Sequence, residues 1–367
     1  MRKVFEVELA SENGGAKLNL PAAPYALLDA LENLELADGG TPRWELLSAF
    51  GAGYIFLHMD QDNGSLSELN ALAQQLARLS ESEMTVFEGL AAMERSSLGH
   101  PVPLARMIDL AYSTECCYLV EGVVTDAQLG RFCAENGFVP EADSLPDAAF
   151  ELLDFERIGR QFRESEGGVF TRGGYVQRHD ELKQVYKNLN LTLKKPDYTI
   201  LAELADGSRV KLPAPLGPAL ADGPAQCADS AAPGLIGQTA MLSTLDLLAR
   251  RMGELELDGE LTKYKAVLEA TGCGDAAQAL TLTDELDRYR FDPELREPDE
   301  VASGRLKKLL PEAELASLLP SVSLYQYGQK IVEQSGGKLT GYGYVQPSTG
   351  PTQDITSQTD EMEMTLS

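Results

Sequence analysis

The sequence predicts an α+β fold of small sheets with helices, laid down as two tandem, divergent copies of one multi-part unit. Three observations carry this. GGVFTRGGYV at 167–176 returns as GGKLTGYGYV at 336–345, and residues 150–176 match 319–345 without a gap at 8 of 27 positions, among them Gly159 with Gly328 and Tyr175 with Tyr344. LSELNALAQQLARL at 66–79 is echoed by LSTLDLLARRMGEL at 242–255, with Leu66, Ser67, Leu69, Leu72, Ala73 and Leu79 repeated. Both halves open on a hairpin pattern and close it with Leu-Pro-Ala. Such self-similarity is the mark of a duplicated scaffold.

In chain order, VFEVELASENGGAKLNLP alternates apolar and polar residues on either side of Asn13-Gly14-Gly15, a hairpin signal. PYALLDALENL reads as a helix, a second helix is expected around Trp44, and GYIFLHM reads as an apolar strand containing His58. In 66–79 leucine recurs at helical spacing behind a serine able to cap the first turn. SESEMTVFEGLAAME and PLARMIDLAY supply two more helices. YLVEGVV is a strand, a helix starts at Thr125, FELLDFERIGRQF is a further helix, and GGVFTRGGYV ends in a strand whose glycines permit a tight turn and close packing. DYTILAELADGSRVKLP repeats the hairpin around Asp206-Gly207, after which sequence is lost around 221–240 and the middle diverges.

These elements divide the chain into an N-terminal α+β part (1–63), a helical middle part (64–113), a C-terminal α+β part (114–176), a basic, partly helical linker (177–194), the second copy (195–345) and a disordered tail (346–367). At 367 residues more than one domain is the prior.

A formal charge of −26 argues against binding nucleic acid or an anionic membrane surface, since both require Lys and Arg, and leaves basic proteins as partners. Solubility alone is the plainer account of acidity. Five cysteines without a CxxC pair make a poor disulfide framework and suit a reducing compartment. No secretory signal or membrane-length apolar run is read, so a cytoplasmic protein is expected.

The carboxylates are locally dense. Between 115 and 156 stand Glu115, Glu121, Asp126, Glu135, Glu141, Asp143, Asp147, Glu151, Asp154 and Glu156 against the single basic residue Arg131, and between 29 and 68 eight acids stand against Arg43. Apolar pairs separate them, as in CYLVEGVV and AAFELLDFE, so that one side is buried while the carboxylates face water. These ten residues are the candidate partner-binding surface.

GSLSELNAL at 64–72, LLDFERIGRQF at 152–162 and GGVFTRGGYV at 167–176, in this order after an N-terminal hairpin, resemble the ArdA antirestriction proteins of bacterial mobile elements and span nearly all of copy one. Copy two keeps the 328–345 end but has TLD for ELN and LY for the FE of DFERIGR, and joins the family through its likeness to copy one. The resemblance implies an elongated three-part protein whose carboxylates imitate the phosphates of bent duplex DNA. It also implies occupation of the DNA groove of type I restriction-modification enzymes, no catalytic residues, no cofactor, and dimers joined through the last part. The tandem leaves open a homodimer or an intramolecular pseudo-dimer. At one charge per about 1.7 Å of duplex, 26 charges match roughly 44 Å of DNA. The alternative is an acidic interaction module of a mobile element that binds another basic DNA-binding or defence protein.

Signals for enzyme chemistry are weak. His58, His100 and His179 lack metal-ligand spacing. DQDNGS at 60–65 would put Met59 where a calcium loop needs its first carboxylate. GCGDAA follows a helix, and GGKLT lacks the hydroxyl after its lysine and the earlier loop glycine of a phosphate loop. Cys116 and Cys117 have no neighbouring cation in sequence to activate them and are expected in the core.

Overall fold

The computed structural model describes residues 2–11, 14–34, 42–142, 144–215, 222–311 and 321–348. They form an α+β fold in two compact units, one of residues 1–22 and 34–194, the other of residues 23–33 and 195–367.

The first hairpin is β1 (Phe5–Ser11) with β2 (Gly14–Leu20), antiparallel from Phe5↔Leu20 to Ser11↔Gly14. Gly14 and Gly15, expected in the turn, are instead the first residues of β2, opposite Ser11 and Ala10, and Asn13 lies outside the described residues. PYALLDALENL is helical as α1 (Pro24–Glu32), but it belongs to the second unit and not to the N-terminal part of copy one. The region around Trp44 is a strand, β3 (Arg43–Ala49), and not a helix: it satisfies the free edge of β1, giving the order β2-β1-β3. GYIFLHM, read as a strand, is instead the short helix α2 (Ile55–His58); a brief apolar run carries no period that separates the two states.

The middle part is helical: α3 (Leu66–Leu76), α4 (Glu81–Leu98) and α5 (Leu104–Ala111). Leu69, Leu72, Ala73 and Leu76 are fully buried along the inner stripe of α3. Its cap is Ser65, in a capping box with Glu68, two residues before the serine of the leucine pattern.

Beyond it lie β4 (Cys117–Glu121), α6 (Asp126–Glu135), the short α7 (Asp147–Phe150), α8 (Phe155–Glu166), β5 (Val169–Phe170) and β6 (Gly174–Arg178), with strands ordered β4-β6-β5. FELLDFERIGRQF is therefore two helices: Asp154 leaves helical geometry and its carboxylate accepts from the Arg157 N–H to start α8. The predicted linker starts inside β6 and continues as chain docked on copy one. The Asp109 carboxylate accepts from the N–H groups of Val185 and Tyr186 (2.7 and 2.8 Å), and the Tyr186 hydroxyl donates to Glu68 (2.6 Å).

The second unit opens with β7 (Ile200–Leu204), β8 (Arg209–Leu212), β9 (Pro224–Ser230) and β10 (Thr239–Met241) in the order β10-β9-β7-β8. β9 is the counterpart of β3, since both flank the first strand across one register shift, at Leu201/Ala202 and at Glu6/Val7. The sequence taken as lost around 221–240 thus keeps its strand. What copy two lacks is room between β8 and β9: residues 213–223, where copy one has 21–42 and the whole of α1.

The helices α9 (Leu242–Leu257), α10 (Leu261–Thr271) and α11 (Ala276–Asp284) follow, then β11 (Tyr289–Asp292), α12 (Pro298–Leu309), α13 (Leu324–Ser335), β12 (Lys338–Thr340) and β13 (Gly343–Pro347). α9 has no side-chain cap; Ser243 bonds Asp222 instead. Of the expected tail, Gln346 and Pro347 continue β13 and 349–367 lie outside the described residues.

The repeated decapeptide has a physical reading. Gly167 and Gly336 end α8 and α13 in left-handed geometry (φ 69° and 64°). Gly168 and Gly337 leave space for the tyrosine of the last strand: a Cβ there would stand 2.2 Å from the Tyr175 hydroxyl and 2.4 Å from that of Tyr344. Thr171 and Thr340 donate to the carbonyls of Gly174 and Gly343 (2.8 and 2.7 Å) and close the turn.

The LSEL-N and LSTL-D stretches also explain themselves. Asn70 grips the backbone after the first hairpin, its amide oxygen accepting from Ala22 N–H (2.8 Å) and its amide nitrogen donating to Ala22 C=O (3.2 Å). In copy two Asp246 accepts from Ala214 N–H (2.7 Å), and Arg250, held by Asp246 (2.9 Å), donates to Ala214 C=O (3.0 Å). Asn70→Ala leaves both Ala22 groups unpartnered and is expected to cost about 2 kcal/mol. Urea unfolding followed by Trp44 fluorescence checks it; an unchanged midpoint would remove the clamp from the stability of this unit.

Candidate functional site

The structure spreads nine of the ten candidate carboxylates over the turns and helix ends of residues 114–156. Asp126 and Asp147 sit in the first turns of α6 and α7, where the helix dipole favours an anion. Glu115 lies in the turn before β4 and Glu121 at its end. Glu135 ends α6, Asp154 caps α8 and Glu156 stands in its first turn. Glu141 is exposed and Asp143 lies outside the described residues.

Folding brings in cations that a linear count omits. Arg163 binds Asp126 through Nε and Nη2 (2.8 and 3.1 Å), and this hydrogen bonding holds the Asp126 carboxyl below its usual range. Arg131 binds Glu151 at 2.6 Å and Glu135 at 3.4 Å, with its guanidinium 4.7 Å above the Phe155 ring; its bond to Glu151 lowers that carboxyl as well. Arg160 meets Glu156 at 2.6 Å and Lys183 meets Glu115 at 2.8 Å. Arg160, Arg163 and Lys183 all lie beyond the window in which one basic residue stood against ten acids.

Of these pairs, only Asp126 with Arg163 is substantially shielded, and it ties α6 to α8. The exposed pairs are screened by water and weak, so these carboxylates remain open to exchange with other cations. Glu121, Glu141, Asp147 and Asp154 form no ion pair with a described residue.

Sequence reading overlooked an extension of this surface. The Ser82 hydroxyl donates to Glu121 (2.8 Å), which brings the start of α4, with exposed Glu81 and Glu83, beside the end of β4. Glu83 completes a capping box with Ser80, whose bonds hold its carboxyl low. The S-E-S-E run before the helix carried that signal.

His58, Cys116 and Cys117, singled out in the sequence, are packed into the fold. His58 is half-buried in α2, with its basicity lowered by burial and by Arg95. Cys116 is buried, and burial pushes the half-buried Cys117 thiol up to about 11, so it stays protonated at neutral pH. Among the described residues no group of three His, Cys, Asp or Glu is placed to hold a metal ion, and no helix is long and apolar enough to cross a membrane.

The fold and this surface define a duplicated α+β protein that presents carboxylates from turns and helix starts. Compared with known proteins, the chain matches no family model and no curated sequence.

Proposed function

We propose that the protein is a DNA mimic of the ArdA kind, which occupies the DNA-binding groove of type I restriction-modification enzymes in the cytoplasm and inhibits them without catalysis. The observation that carries this reading is the ordered occurrence of GSLSELNAL, LLDFERIGRQF and GGVFTRGGYV in a chain of net charge −26. Each stretch contains a residue at a backbone junction: Asn70 at the clamp, Gly159 where α8 meets the start of α6, and Gly168 under Tyr175. The likeness therefore includes residues that set a scaffold, while eight of the ten carboxylates stand outside the three stretches, Asp154 and Glu156 being the two within them. A groove lined with Lys and Arg gains affinity when counterions are released on meeting fixed anions, whatever carries them.

Competition with labelled duplex for a type I methyltransferase core is the test. Displacement is expected independently of duplex sequence and is expected to fade as salt rises from 50 to 200 mM. Replacing both Glu141 and Asp147 by Lys is expected to weaken inhibition at least about tenfold, because like charges then face the groove, with the chain still folded. A folded parent that displaces no duplex would sink the reading and point to another basic partner.

A further inference from the structure

We propose that the surface of the second unit that holds α1 is a helix-recognition site, and that it takes residues 23–33 from a second copy of the chain as well as from its own. The inference is independent of the proposed antirestriction role.

Helix α1 is held from both ends and from its middle by residues far away in sequence. At its start, Tyr25 N–H donates to Asp229 Oδ2 (3.3 Å) and its hydroxyl donates to Tyr198 C=O (2.6 Å), the two rings meeting edge to face. In the middle, Asp29 accepts from Lys265 Nζ and from the Tyr342 hydroxyl, both at 2.6 Å. Just past its end, Arg296 donates to Asn33 C=O (2.6 Å). Tyr25 and Leu28 join the apolar core of that unit.

Tyr25 and Asp29 are four positions apart and share a helix face. The receptor reads a short helix by an aromatic anchor at one end and a carboxylate one turn on. Copy two has only residues 213–223 between β8 and β9, and the helix seated on it comes from a segment remote in the chain. Exchange between identical chains preserves every contact named here, which makes it a low-cost route to association. Within one molecule the helix competes at an effective concentration of about millimolar, so exchange grows with protein concentration or when the resident helix is weakened.

The test uses the full chain. In a helix variant, Tyr25→Ala with Asp29→Ala, the receptor's own residues are unaltered and its resident ligand is damaged. A labelled peptide of residues 21–34 is expected to bind this variant one to one, and a peptide with the same two substitutions at least tenfold more weakly. The second arm needs no variant: the unaltered chain is unfolded in urea and refolded across a range of concentrations. Association one step beyond its state at low concentration is expected to rise with refolding concentration and to be absent from the helix variant. Equal binding of the two peptides, no peptide binding to a folded helix variant, or refolding products independent of concentration would each overturn the proposal.

Discussion

Gly159→Ala is expected to remove about 3 kcal/mol or more from the stability of the α6–α8 region, because overpacking against main chain has no flexible neighbour to absorb it. A Cβ at 159 would stand 1.8 Å from the Asp126 carbonyl oxygen and 2.7 Å from the Gly130 nitrogen. The helices would have to move apart, stretching the Arg163–Asp126 bonds and loosening the small core of Leu129, Cys133 and Tyr175. Gly328→Ala is expected to do the same to α12 and α13, where the Cβ would stand 1.6 Å from the Pro298 carbonyl oxygen. Gly167→Asn is the control: its left-handed φ suits asparagine, nothing lies within 4 Å, and the cost is expected to stay within about 1 kcal/mol. Calorimetric unfolding of the three variants separates these cases. A Gly159→Ala protein as stable as its parent would mean that the helices do not cross this closely.

The second large effect is expected at Asp29. Asp29→Ala leaves the Lys265 ammonium, only 10% exposed, with Glu32 at 3.9 Å as its remaining anion, and removes the acceptor of the buried Tyr342 hydroxyl. Breaking a buried pair from one side costs about 3–5 kcal/mol. Burial raises the Tyr342 phenol far above its ordinary range, so it remains a donor at any working pH and loses a bond when the carboxylate goes. Asp29→Leu combined with Lys265→Met is expected to recover most of the loss, since the apolar exchange leaves no isolated charge.

The only tryptophan, Trp44, lies in β3 of the first unit and bonds Gly64 C=O, while Asp29 serves the second. The Asp29→Ala unfolding midpoint is therefore expected to fall by far-ultraviolet circular dichroism and to stay in place by tryptophan fluorescence. If fluorescence shifts as far as the dichroism, α1 stabilises copy one, as its place in the sequence suggests.

That contrast shows where the sequence was legible. The hairpins could be read because alternation and glycine turns are local, and helices α3, α4 and α5 because leucine spacing and capping serines are local. The existence of α1 was readable in the same way. Its location was not: an amphipathic face does not name the surface that covers it, and Asp29 finds Tyr342 at a separation of 313 residues. β3 was misread for a related reason, since its state is set by the vacant edge of β1 and not by its own seven residues. At the candidate site the carboxylates were legible and their partners were not, because Arg163 reaches Asp126 across 37 residues.

The clamps at Asn70 and Asp246 hold corresponding backbone groups by different means. Asparagine serves both backbone groups of its alanine alone, whereas aspartate offers only acceptors and needs Arg250 to supply the donor. Aspartate without arginine strands a carbonyl and sets a bare anion against it. The aspartate clamp therefore works as a pair of residues, and the asparagine clamp as one. Gln74 stands in copy one where Arg250 stands in copy two, so Asn70→Asp combined with Gln74→Arg would transplant the second clamp into the first copy.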